Sequence, residues 1–390
     1  GVSSAASDVY KRQEPNRRTL SSLSKSLMIE TTDILIIGGG ISGLLTAREL
    51  RLAGCDVTVL DSQALGQESS WAGGGILLPI YPWRQPAAIS DLVMPSIAAY
   101  PRLQAEILAA TGLDPQWRPC GMWISQNPDV ELAKAWCVER AVSFHDGASF
   151  QPAGIQAKQQ NALWLPEIAQ IRNPRLIKSL LAYLRQLGVR LLEHVEITGL
   201  TTSQDKVLTL STQQHRWQFK HLVLAAGAWT PQLLQQLLPD QSPVLPIKPV
   251  KGQMLLFAAP ANLLNCMVLD GDRYLIPRAD GKILAGSTVE DVGFDKTTTL
   301  AAREALYQFA IDVLPALKDC ALETHWAGLR PGSPNGVPTI GMHPQFSNLG
   351  INVGHFRNGL VMGPASAQLL ADLILQRPPS LKPDAYAWRI

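Results

Sequence analysis

The chain has 390 residues, 46% of them hydrophobic, and its 34 lysines and arginines against 32 acids leave a formal net charge of +2. That length allows two domains or one large elaborated domain, and the near-neutral balance leaves no electrostatic footprint for nucleic acid or an anionic membrane surface. Apolar runs stay well under transmembrane length, and the five cysteines (Cys55, Cys120, Cys137, Cys266, Cys320) are scattered with no C-x-x-C pair. This argues for a reducing, cytoplasmic compartment and against a membrane span, a disulfide framework or a structural metal.

Residues 1–27, GVSSAASDVYKRQEPNRRTLSSLSKSL, are polar and rich in Ser and Arg, with no hydrophobic segment of a secretory signal. An acid-poor Ser/Arg tail also has the composition of an organelle transit peptide. The preferred expectation is a disordered tail, not necessarily native coding sequence, because Met28 directly precedes the first patterned segment.

From Asp33 the chain reads DILIIGGGISGLLTARELRLAGCDVTVLD. The run Ile34–Ile37 predicts a fully buried parallel strand. Gly38, Gly40 and Gly43 form G-x-G-x-x-G. A helix follows, with Leu44, Ala47, Leu50 and Ala53 on one stripe, and Gly54 ends it. Val57–Leu60 is a second strand closing on Asp61. Gly38 makes the tight turn, Gly40 lets the backbone approach a pyrophosphate, and Gly43 lets helix and strand pack closely, with the helix N-terminus toward the phosphates. Asp61 is placed to take ribose hydroxyls and to repel a 2′-phosphate, which disfavours NADP. FAD and NAD both remain open at this point.

The next stretch, SQALGQESSWAGGGILLP, favours FAD. Its hydroxyls (Ser62, Ser69, Ser70) and glycines (Gly73–Gly75) are read as non-helical, and a flavin's extended body must pass such backbone N–H groups. Trp71, within this loop, is a candidate cofactor neighbour. Helix and strand patterns resume at LLAYLRQLGVRLLEHVEITGL, and HLVLAAGAWTPQLLQQL supplies another buried strand, a break at Gly227 and a helix. The expected fold is therefore α/β: a discontinuous doubly wound, Rossmann-like FAD-binding domain (28–87, 166–245 and 326–376) and a second α+β substrate domain on a mixed or antiparallel sheet (88–165 and 246–325), with a C-terminal tail at 377–390. RYLIPRADGKILAG predicts a hairpin turning at Ala279–Gly281.

The stretches DILIIGGGISG, SSWAGGGILLP, LVLAAGAWT, LPIKPVKGQML, RYLIPR, HWAGLRPGSPNGVPTIG and GHFRNGLVMGPASAQLLADLI together resemble the D-amino-acid oxidase superfamily of flavoproteins, and within it the glycine oxidases of the thiamine pathway. The first stretch is generic to flavoproteins; AGLRPGSPNGVPTIG and GHFRNGL are more specific. The resemblance implies non-covalent FAD and oxidation of glycine, sarcosine and small D-amino acids with O2, giving imine and hydrogen peroxide. It implies flavin contacts at Ile41, Ser42, Asp61, Ser62, Ser69, Ser70, Gly74, Gly75, Ile76, Ile197 and the stretch His355, Phe356, Arg357, Asn358, Gly359, Leu360 and Val361. It puts substrate contacts at Arg330, Arg357 and Tyr274, and it suggests a homotetramer and a functional link to thiazole synthase.

The residues give these positions a physical reason. An amino-acid carboxylate in an apolar pocket needs a planar two-pronged partner, which a guanidinium supplies. Arg330 is expected in a Gly/Pro-framed loop as the clamp, and Arg357 in a second loop before the final helix, near the flavin. That helix should begin between Gly359 and Pro364, with the proline in a first turn and its positive end toward the flavin. No acid–base constellation is evident, consistent with direct hydride transfer from the substrate Cα to flavin N5, which needs no protein base. His355 reads as a packed neighbour of the flavin, not a base. A dehydrogenase with a quinone or protein acceptor, an oxidase of a tRNA-linked glycine-like group, and a non-catalytic flavin subunit are the alternatives.

Overall fold

The computed structural model describes residues 27–239 and 245–388; the tail expected over 1–27 lies, except for Leu27, outside the described residues. The run DILII ends strand β1 (Met28–Ile37), which leads into helix α1 (Ile41–Leu52) and strand β2 (Val57–Leu60). Ile34 and Ile36 face one apolar layer and Leu35 and Ile37 the other. This double burial is why the run shows no polar alternation.

β1 lies between β2 and the strand His215–Leu224, parallel to both. Arg190–Leu192 extends this first sheet beyond β2, and Leu349–Val353 extends it beyond His215–Leu224, both in parallel. One face carries α1 and the helices Ala87–Thr111, Asn173–Gln186 and Gly359–Ile374, whose apolar residues form one core with the sheet. The other face carries the short helix Thr230–Leu237 and an antiparallel meander, Ile197–Ser203 and Lys206–Thr212, joined to the lower half of His215–Leu224.

The second sheet is mixed and runs in the order Ala321–Gly332, Lys248–Ala258, Ile283–Gly286, Arg273–Pro277, Met267–Asp270, Met122–Ile124, Leu163–Leu165 and His145–Asp146. Arg273–Pro277 and Ile283–Gly286 form the hairpin, and Gly281 takes the left-handed conformation its turn needs, with φ +89. Strand alternation divides the faces of this sheet. Leu255, Leu275 and Ile283 pack under the helix Leu300–Val313, while Met254, Tyr274 and Ile276 face the first sheet.

Several placements differ from the sequence reading. The helix Ala87–Thr111, assigned by its position to the second unit, packs on the first core through Ile89, Leu92, Tyr100 and Leu103. Residues 326–332, assigned to the first unit, pair with Lys248–Ala258 of the second sheet. The segment 377–388 is no free tail: Tyr386 and Trp388 are buried, and the Ile340 N–H donates to the Tyr386 carbonyl at 2.8 Å. An apolar stripe states that a segment is buried but not against what, and partner choice is a long-range matter.

Pro364 falls in the second turn of the final helix, not the first. A proline there has no N–H for the Leu360 carbonyl and crowds it. The Tyr100 hydroxyl donates to that carbonyl instead, at 2.5 Å, and Ser96 Oγ accepts the Ala365 N–H at 2.9 Å. The helix Ala87–Thr111 thus repairs the break.

His343 is 4% exposed, and its Nδ1 accepts the Gln345 and Phe346 N–H groups at 3.0 and 3.2 Å. Burial pulls its pKa from 6.5 to about 4, and burial does the same to His355. The unfolded chain therefore takes up protons near pH 6.5 that the folded chain takes up only near 4. The stability held above about pH 6.5 is lost as pH falls toward 4. The urea midpoint is expected to decline between pH 7 and 4.5, and less steeply in His343→Asn, whose amide oxygen can replace Nδ1. Parallel declines in the two proteins would refute the assignment to His343.

Candidate functional site

A cavity of about 1050 Å³ lies between the two sheets. It runs from the turn after β1, past Gly73–Gly75, to Arg330 and Arg357. Its walls include Gly38, Gly40, Ile41, Ser42, Asp61, Ser62, Ser69, Ser70, Gly74, Gly75, Ile76, Ile197, Gly227, Tyr274, Arg330 and the segment from His355 to Leu360. Two residues named from sequence do not line it. Gly43 lies beneath the turn, where an added Cβ would stand 1.9 Å from the Gly38 carbonyl oxygen. Val361 is 2% exposed and faces the helical core.

At the dinucleotide end, Gly38 turns with φ +109 against the Ala225 backbone. Asp61 is oriented by its own neighbours: Oδ2 accepts the Gly39 N–H at 2.7 Å and Oδ1 the Gln63 N–H at 2.9 Å. Burial raises its pKa, and these two hydrogen bonds oppose the rise. Each carboxylate oxygen keeps a lone pair for an incoming hydroxyl. Ser70 is engaged otherwise, because its Oγ accepts the Ile41 N–H at 2.8 Å, capping α1 from 29 positions away. The loop expected to be irregular contains a short helix, Glu68–Ala72. That helix turns Trp71 outward, edge-on to Trp326 at 5.9 Å and away from the cavity lining.

At the other end, Arg330 sits inside the strand Ala321–Gly332, not in a loop. Its Nη1 donates to the Thr288 and Lys251 carbonyls at 3.1 and 3.4 Å, and Nη2 donates to Ser287 Oγ at 2.9 Å. That leaves the Nε–H and one Nη2 hydrogen, the edge that matches a carboxylate. Gly252, directly across the strand pair, makes room: a Cβ there would lie 2.2 Å from Arg330 Nη2. Burial lowers the Arg330 pKa to about 10. The Tyr274 hydroxyl opposes that shift and the charge of Arg357 adds to it.

Arg357 lies in the 3₁₀ turn Phe356–Asn358 that leads into the final helix, and its Nη2 is buried with no partner. Among the described residues neither arginine has a carboxylate within ion-pair distance. Two buried cations without an anion define a site for one.

His355 is 2% exposed, with Nε2 3.1 Å from Ser366 Oγ. Ser366 gives its only proton to the Met362 carbonyl at 2.8 Å, so Nε2 must donate. With its pKa held near 4 by burial, the ring is a neutral neighbour of the site.

Sequence reasoning missed several lining residues: Glu196, Trp229, Met254, Asp272, Arg84 and Gln85, and also Phe294 and Lys296. Phe294 and Lys296 lie on a loop that reaches over the first unit, with Phe294 against Trp229 at 5.3 Å and Lys296 paired to Glu68 at 2.7 Å. No local pattern announces a contact across domains. Met254 had a signal in the strand alternation, which puts it on the face of Gly252.

The cavity has the parts a flavin dinucleotide requires: a Gly-turned helix start, an acid at the end of β2, a glycine loop with unpartnered N–H groups, and a helix N-terminus at the far end. The family of FAD dependent oxidoreductases (DAO) matches residues 33–373, and the chain belongs to this family. Over 91% of this chain and 98% of the relative, it is 44% identical to a glycine oxidase of Pseudomonas aeruginosa. It is 34% identical over 89% of its length to the bifunctional protein ThiO/ThiG of Trichormus variabilis, covering 53% of that protein. The crystal structure of glycine oxidase from Geobacillus kaustophilus superposes with a TM-score of 0.84 at 23% identity, covering 92% of this chain and 98% of that one, and shows the same fold.

Proposed function

We propose that this protein is an FAD-dependent oxidase of glycine, acting also on sarcosine and small D-amino acids, that it uses O2, and that it supplies the imine of glycine to thiazole synthesis. The observation that carries this reading is the pair of buried, anion-free guanidiniums of Arg330 and Arg357 in the cavity that begins at the dinucleotide turn. The glycine oxidase relative and the ThiO/ThiG relative support the substrate and the link.

In this reading Gly38, Gly40 and the first turn of α1 receive the pyrophosphate, and Asp61 receives the ribose. Ile41, Ser42, Ser62, Ser69 and Ile197 flank the dinucleotide, Gly227 lies beside it, and Gly74–Ile76 and 355–360 border the ring. Bound FAD supplies the acceptor for two electrons and is reoxidised by O2 to hydrogen peroxide. Arg330 takes the substrate carboxylate on its Nε/Nη2 edge, Tyr274 adds a hydroxyl donor, and Arg357 supplies the second cation. The apolar wall of Met254 and Ile76 excludes water. Fixing the carboxylate this way sets the direction of the Cα–H bond, which is most of what a hydride transfer needs from a protein. No side chain at the site is placed as a base, so the amine must enter neutral.

The test is a visible spectrum of the purified protein, followed by an oxygen electrode with peroxide detection over glycine, sarcosine, D-alanine and D-proline. Flavin absorbance with glycine-dependent peroxide is expected. Dye reduction without oxygen uptake would instead mark a dehydrogenase, and bound flavin with no turnover a non-catalytic subunit.

A further inference from the structure

Arg278 is a third buried arginine, and it stands outside the cavity wall. It is 6% exposed, and no carboxylate of the described residues comes within ion-pair distance of it. Its Nη1 donates to Gln170 Oε1 at 2.7 Å and its Nη2 to the Gly74 carbonyl at 2.8 Å. Gln170 is fixed in turn, its Nε2 donating to the Pro277 carbonyl at 2.6 Å.

The consequence follows from peptide geometry. In a trans peptide the C=O and the following N–H point in opposite directions, and the Gly74–Gly75 bond is trans. With the Gly74 carbonyl drawn back to Arg278, the Gly75 N–H points forward, and Gly75 lines the cavity. The next peptide repeats the arrangement: the Gly75 carbonyl accepts the Ile171 N–H at 2.8 Å, so the Ile76 N–H also faces forward. Neither N–H has an acceptor among the described residues. Gly75 must be glycine here, since φ is +80 and a Cβ would lie 1.8 Å from the Ile171 carbonyl oxygen.

We infer that Arg278 is a positioning residue for the flavin: it locks the Gly74–Gly75 peptide with its N–H toward the ring, and its charge, carried through that polarised peptide, makes the flavin easier to reduce. A cation hydrogen-bonded to a carbonyl strengthens the donor at the other end of the same amide. A buried charge is also weakly screened, while reduction adds negative charge to the ring. This rests on FAD occupying the cavity as proposed.

The experiment compares FAD dissociation constants, midpoint potentials and visible spectra of the wild-type holoenzyme with Arg278→Met and Arg278→Lys. Arg278→Met should bind FAD at least about tenfold more weakly and be about tenfold harder to reduce, which is a shift of about 30 mV to lower potential for a two-electron couple. Arg278→Lys keeps the charge but loses the second prong. It should recover the potential and not the affinity.

An Arg278→Met holoenzyme with wild-type potential and spectrum overturns the inference, and so does Arg278→Lys showing the full loss of potential. If Arg278→Met does not fold, Arg278→Lys decides alone: wild-type affinity with an unaltered spectrum overturns the positioning role. A wild-type protein that takes up no FAD would instead refute the cofactor reading itself.

Discussion

Replacing Arg330 with alanine is expected to raise KM for glycine by about 10²–10³-fold while FAD stays bound. Removing one partner of a buried ion pair costs about 3–5 kcal/mol, and each 1.4 kcal/mol is tenfold. The loss falls on substrate affinity because the Arg330 guanidinium is held by Thr288, Lys251 and Ser287 and not by the dinucleotide end of the cavity. Oxygen-electrode kinetics together with the flavin spectrum separate the two effects. Arg330→Lys should recover only part of the loss, since an ammonium cannot present two parallel donors. Gly252→Ala tests the same clamp without touching the charge. Its new methyl would overlap the guanidinium at 2.2–2.4 Å, and the side chain must swing aside. The fold and the flavin should survive and KM should rise. An unchanged KM in Arg330→Ala would remove Arg330 from substrate binding.

Gly43→Ala is expected to abolish FAD retention and lower the melting temperature. Here the clash is with backbone: the Cβ would lie 1.9 Å from the Gly38 carbonyl oxygen and 3.1 Å from its carbon, so α1 must move off the turn. Overpacking a tight site costs about 1–3 kcal/mol, and the moved helix takes its first-turn N–H groups away from the pyrophosphate. Flavin-to-protein ratio after gel filtration and a thermal melt would measure both. Gly199→Ala is the control, because that glycine has no neighbour within 4 Å of an added Cβ and should behave as wild type. Normal FAD content in Gly43→Ala would mean that the turn does not carry the phosphates.

The strand, turn and helix from Asp33 to Asp61 could be read directly because each follows from local chemistry. A four-residue apolar run, glycines at fixed offsets and a period of 3.6 are visible in one dimension. The hairpin at 273–286 was legible for the same reason. The candidate clamp was found through the resemblance of GLRPGSP and GHFRNGL, and two charges in apolar, glycine-framed surroundings gave it a physical reason. What it rests on was not legible. Ser70 reads as a cofactor contact and proves to cap α1, because only the fold brings it to the Ile41 N–H. Trp71 reads as a flavin neighbour and faces Trp326 instead, because a single helical turn rotates it outward. Gly252 and Arg278 carry no local mark. One matters because its strand pairs with that of Arg330, and the other because its hairpin backs onto the Gly73–Gly75 loop.

The amino-acid sequence alone determined the elements, the nucleotide turn, the acid at its end and the arginines that suit a carboxylate, since each depends on residues within about twenty positions. Only the tertiary structure decided which strand lies beside Arg330, which helix repairs the break at Pro364 and which carbonyl Arg278 restrains. Those are contacts between residues from about 35 to more than 250 positions apart. Such contacts are selected by the packing of the whole chain, where burial and hydrogen-bond satisfaction are settled together, and no short stretch of sequence carries that information.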